Sequence, residues 1–127
     1  MGADGFVLQK AVTLMGELTN QRVTQTEPGW FDAGEHGQVA MRVVASVLNQ
    51  CVLEIQTSPT RDSSESGGQW RPAVTVSTAT PGANFTLDAS QGATYALDRF
   101  VRWQVVSAGT VTPPWIACFW ISLVAKR

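Results

Sequence analysis

The chain has 127 residues, of which 44% are apolar and only 15% charged, with a formal net charge of −1. That length fits one domain over residues 1–127 with an independent core, and the near-neutral charge excludes the basic footprint of a nucleic-acid or anionic-membrane binder. Five tryptophans on so weakly charged a chain are more apolar surface than one core is expected to hold, which points to contact with a partner.

The first residues, MGADGFVLQK, have neither a basic stretch nor an apolar stretch, so no secretory signal is expected. The longest apolar run, Trp115–Ala125, is about half the length of a membrane-spanning helix. Short β-branched and aromatic runs, broken by Gly, Pro, Asn, Asp and Ser, predict strands rather than helices. Phe6–Leu18 reads as one or two strands with a bulge at Gly16, and Arg22–Thr26 follows a turn at Thr19-Asn20-Gln21. Glu27-Pro28-Gly29 is a turn before Trp30-Phe31, and Asp32–Gln38 is a polar loop.

Val39–Leu48 alternates, with Val39, Met41, Val43, Ala45 and Val47 on one face. Asn49-Gln50 is predicted as a hairpin turn into Cys51–Thr57, which sets Cys51, Leu53 and Ile55 on one face. Ser58–Gly68 is a long polar loop ending at Trp70. Ala73–Thr78 follows, then a Pro81-Gly82 turn, Asn84–Asp88, and a long strand region Tyr95–Val106 kinked near Asp98. Its Val101, Trp103 and Val105 share a face opposite Phe100, Arg102, Gln104 and Val106. Trp115–Val124 is apolar on both faces: Trp115, Ala117, Phe119, Ile121 and Leu123 on one, Ile116, Cys118, Trp120 and Val124 on the other, broken only by Ser122. A strand of this kind is covered on both sides or stands at an interface. The sum is an all-β, antiparallel β-sandwich, jelly-roll-like, of eight or nine strands.

Few residues suggest chemistry. His36 stands near Asp32 and Glu35, but the spacing matches no metal motif, so neither metal nor cofactor is expected. Asp62 and Glu65 share a polar loop that does not hold two carboxylates at a defined separation. Asp88 and Asp98 flank another loop, where calcium is conceivable. Cys51 and Cys118 are read as buried free thiols, with a disulfide between strands as the alternative. Arg99 and Arg102 lie among aromatics, but the net charge argues against nucleic acid. Trp30 and Trp70 flank loops and are the candidate ligand platform, for carbohydrate. Trp115, Phe119, Trp120 and Val124 are the candidate interface.

Ser58, Asp62 and Trp70, followed by Arg99-Phe100-Val101-Arg102, form a pattern over the second half of the chain. It resembles galactose-binding-like, discoidin-type jelly rolls and the small β-sandwich proteins of tailed-phage particles. The second resemblance implies a non-enzymatic structural protein: a virion component such as a capsid decoration or tail protein, contacting copies of itself or a capsid or tail protein through apolar strand surface. The alternative is a carbohydrate-binding module, secreted or at a cell surface, using Trp30 and Trp70.

Overall fold

The computed structural model of the protein describes residues 3–34, 36–61 and 70–126. Among the described residues the apolar runs become nine strands: β1 (Ala3–Gly16), β2 (Arg22–Thr24), β3 (Phe31–Asp32), β4 (Gln38–Asn49), β5 (Cys51–Ser58), β6 (Arg71–Val76), β7 (Thr80–Asp88), β8 (Phe100–Ser107) and β9 (Trp115–Lys126). Among the described residues the helical content is a single 3-10 turn, Glu27–Gly29, carrying Pro28 where its missing N–H costs nothing. No helix here is long and apolar enough to cross a membrane.

Two sheets form, ordered β1-β9-β4-β7 and β2-β8-β5-β6, and β3 also pairs with β8. Because β5 occupies one edge of β8 along its whole length, β2 and β3 share the other edge as two pieces of one broken strand. This gives eight strand positions in two antiparallel four-position sheets. Apart from the β2–β3 edge and the β5–β6 pair, every link crosses from one sheet to the other. That is the jelly-roll connectivity expected from the sequence.

The alternation holds where the core is built. Val39, Met41, Val43 and Ala45 of β4, Leu53 and Ile55 of β5, and Val101, Trp103 and Val105 of β8 are all buried. They meet Trp115, Ala117, Phe119, Ile121 and Leu123 of β9, and the rings of Trp103 and Phe119 pack edge to face with centroids 5.0 Å apart.

Several predicted turns behave differently. Gln50 takes the positive φ (61°) of a tight turn, yet β4 and β5 belong to different sheets, so Asn49-Gln50 is a corner and not a hairpin. Each strand already has partners on both sides: β7 and β9 for β4, β6 and β8 for β5. Pro81-Gly82 lies inside β7, against an irregular register with β4. The β1 irregularities fall around Gln9, not at Gly16. The predicted strand from Tyr95 begins only at Phe100, with Ala96 held by an isolated bridge to Asp88.

Gly16 is needed for a close approach. A Cβ there would sit 2.5 Å from Trp115 Nε1 and 2.5 Å from Gln21 Oε1, two atoms that are hydrogen-bonded to each other at 3.1 Å. Gly16→Ala is expected to cost about 1–3 kcal/mol through overpacking. Gly82→Ala should be nearly neutral, because the atoms in its way belong to the mobile end of Arg42. Urea midpoints of the two variants test the contrast.

The sheet edges are each interrupted. Edge strand β6 carries Pro72, edge strand β7 carries Pro81, β2–β3 is broken by the 3-10 turn, and β1 has two register shifts flanking Gln9. Such devices blunt pairing with another chain.

Candidate functional site

The residues singled out from the sequence gather on the two outer faces of the sandwich. On the β2-β8-β5-β6 face, the excursion between β2 and β3 carries Trp30 over the sheet. Gln25 anchors it: its buried amide donates to Leu8 O at 2.7 Å and Gly29 O at 2.8 Å and accepts from Trp103 N at 3.3 Å. Trp30 Nε1 donates to Gln25 O at 2.7 Å. Trp70 enters β6 from the other side, and the two half-buried indoles meet edge to face with centroids 4.8 Å apart.

Beneath them lies a polar layer that sheet parity alone would leave in water. Arg102 is only 4% exposed, with its guanidinium 4.0 Å from the Trp70 ring centre and 5.3 Å from that of Trp30. Its Nε donates to Gln56 Oε1 at 2.8 Å, and Gln56 Nε2 donates to Gln104 Oε1 at 3.0 Å. Gln104 in turn donates to Thr24 Oγ1 at 2.7 Å and accepts from Arg22 at 2.8 Å. Among the described residues no buried side-chain polar atom lacks a partner, so the layer is fully satisfied rather than strained. The sequence signal for it is three long planar polar side chains, Gln56, Arg102 and Gln104, on the outward sets of adjacent strands.

The charged groups around this face are committed to one another. Arg99 forks onto Asp32 at 3.2 Å, Arg71 onto Asp98 at 3.1–3.3 Å, and Arg61 reaches Glu27 at 3.4 Å. Arg61 and Arg99 also lie over Phe100, 4.6 and 4.9 Å from its centre. The hydrogen bond from Arg99 holds the Asp32 carboxyl below its ordinary range despite partial desolvation. Asp88 is turned toward Ser90 and Gln38. His36 Nδ1 lies 2.7 Å from Ala33 O, and no group of three metal-ligating residues occurs among the described residues. Glu35, Asp62 and Glu65 lie outside the described residues.

Asp88 gives a pH signature. The hydrogen bonds from Ser90 and Gln38 hold its carboxyl down to about 2. Its stabilising contribution is therefore complete above the ordinary carboxylate range near pH 4 and is lost as pH falls through about 2. Asp88→Asn should lower the urea midpoint at pH 7 and flatten its decline between about pH 4 and pH 2, so that variant and wild type converge in acid. An unchanged acid slope would refute this.

The opposite face, on β1-β9-β4-β7, is apolar along β1 and β9 and polar toward β7, where Gln38, Arg42, Asn84, Thr86 and Asp88 lie. Trp120 and Val124 of inner strand β9 project outward, each 37% exposed. Val7 and Met15 of β1, 62% and 61% exposed, pair with Ser122 and Ile116 and join the same face. Trp115 and Phe119, expected with this surface, instead point inward at 0% and 3% exposure. The period of two puts them on the core side of the same strand. Only Trp120 and Val124 of the four candidates are available for contact.

Beside Trp120 is an open hollow of about 340 Å³, floored by Ala11, Thr13, Ser46 and Cys118. A second of about 340 Å³ adjoins it through Val44 and Ser46 and runs toward Pro81. Two causes coincide: small side chains, and register shifts in β1 (Gln9/Val12) and β4 (Ala45/Val47) that flank β9. Both cysteines are free. Cys118 faces this hollow, with Sγ 3.3 Å from Thr13 Oγ1, whereas Cys51 faces inward and donates to Ile116 O at 3.3 Å. The alternative disulfide is not formed, because the two thiols lie on opposite sides of β9. Burial pushes the Cys51 thiol up.

Scans against protein-family models and curated proteins return no match for the chain.

Proposed function

We propose that this protein is a non-enzymatic structural module that docks through the outer face of β1-β9-β4-β7, as a virion component such as a capsid decoration or tail protein. One observation carries the reading: β9 is an inner strand with two apolar faces, and the core covers only one of them. Covering about 300 Å² of such surface is worth about 7–8 kcal/mol before the costs of association. Repetition over many copies multiplies the effect. The jelly-roll connectivity and the resemblance to small tailed-phage sandwich proteins support the particle setting.

Particles purified from the source that encodes this chain should carry it, and immunogold labelling should mark them. Trp120→Glu should abolish incorporation while leaving the melting temperature nearly unchanged. Absence of the chain from any particle would overturn the virion assignment.

The contact of Trp30 with Trp70 favours a second reading, a carbohydrate-binding module. It ranks below the first because both rings have protein partners: Trp30 donates to Gln25 O, and Arg102 covers Trp70. Saturable binding on a glycan array, lost in Trp70→Ala, would reverse the order.

A further inference from the structure

We infer that the occupant of the apolar face is a second copy of this chain, related by a two-fold axis, with each Trp120 seated in the other copy's hollow. The inference rests on the docking reading above and names its partner. An isologous contact needs projection and recess on one surface. Here both are present side by side: the exposed indole of Trp120, and the open hollow of about 340 Å³ that it walls together with Ala11, Thr13, Ser46 and Cys118.

The size of the face agrees. Strands β1, β9 and β4, about 4.8 Å apart and paired over about 37 Å, with β7 paired over about 24 Å, present roughly 650 Å², against the roughly 800 Å² per partner of a standard stable complex. Charge agrees as well. Neither hollow is lined by a charged side chain, so the seat offered to each indole opposes no charge; exposed Lys10 of β1 stands outside that lining. The ends of the face differ in sign: exposed Glu17 follows the Trp115 end of β1, while Arg42 and Lys126 lie toward the other end and outweigh Asp88 there. A two-fold axis through the middle turns the acidic end of one copy onto the basic end of the other, which favours this pairing over a parallel one.

Sedimentation velocity of the full chain over a concentration series tests this, with far-UV circular dichroism as the check of folding. The wild type should sediment as a dimer at tens of micromolar. Trp120→Glu, which removes the projection, and Ala11→Trp, which fills the recess, should each weaken self-association about 30-fold or more. If Trp120→Glu fails to fold, Ala11→Trp, at an exposed position, decides alone. A wild type that stays monomeric at hundreds of micromolar would overturn the second copy as occupant and leave docking on a different protein standing. A dimer that survives both substitutions would overturn the second copy as occupant, because the self-contact would then lie elsewhere; incorporation of Trp120→Glu into particles tests the docking reading separately.

Discussion

Replacing Trp115 with alanine should destabilise the protein by about 3–5 kcal/mol, the largest effect expected of any tryptophan here. Its side chain is fully buried, and its Nε1 donates to Gln21 Oε1 at 3.1 Å. Truncation leaves a cavity under the β1–β9 pair and strips Gln21 of its donor. Backbone collapse offers little repair, since Gly16 already stands at the closest approach in this place. Against a total stability of about 5–15 kcal/mol, the loss should lower the melting temperature by more than about 10 °C and erase much of the near-ultraviolet dichroism. Trp120→Glu on the same strand should stay within about 0.5–1 kcal/mol of wild type. Equal costs for the two would show that the inward and outward sets of β9 are misassigned.

The second large effect is expected at Arg102. Arg102→Met should cost about 2–4 kcal/mol, from the desolvated cation–π contacts and from Gln56 Oε1 left without its donor in a buried layer. The red shift of tryptophan emission should accompany it, because Trp30 and Trp70 lose the group they pack against. Arg102→Lys should not restore stability: an ammonium cannot both lie flat on an indole and keep the Nε bond to Gln56. A neutral Arg102→Met would show that the indoles repack over the gap and that the polar layer is dispensable.

The parts of this fold that depend on a period of two were legible in the sequence. The inward sets of β5, β8 and β9 lie where alternation puts them, and that of β4 does so as far as Ala45, after which a register shift turns Val47 outward; the two-faced character of β9 was visible in its eleven-residue, almost wholly apolar run. What alternation does not carry is which strands are neighbours. Asn49-Gln50 has the local chemistry of a hairpin turn, but the pairing competition is won by distant strands, and the same link becomes a corner. Local turn signals also mislead at Pro81-Gly82, where an edge strand tolerates the missing N–H. At the sites, Trp30 and Trp70 were named together as loop-flanking aromatics; their direct contact depends on the six-residue excursion between β2 and β3, which no local pattern announces. Trp115 and Phe119 were grouped with Trp120 and Val124 because a doubly apolar strand gives no sign of which face looks outward. The burial of Arg102, Gln56 and Gln104 was hidden by their polarity, since outward polar residues ordinarily imply water, whereas here Arg102 packs on two indoles and Gln56 bonds to it and to Gln104.

The interrupted sheet edges determine what kind of object this protein can build. With Pro72, Pro81, the broken β2–β3 margin and the shifted register of β1, hydrogen-bonded extension of either sheet has no open end from which to propagate. Adhesion is left to side chains on a flat patch, and a patch that fits itself is saturated after one pairing. On the proposed two-fold contact, growth by this chain alone terminates at a small, countable unit, and any larger lattice is dictated by the geometry of what that unit sits on.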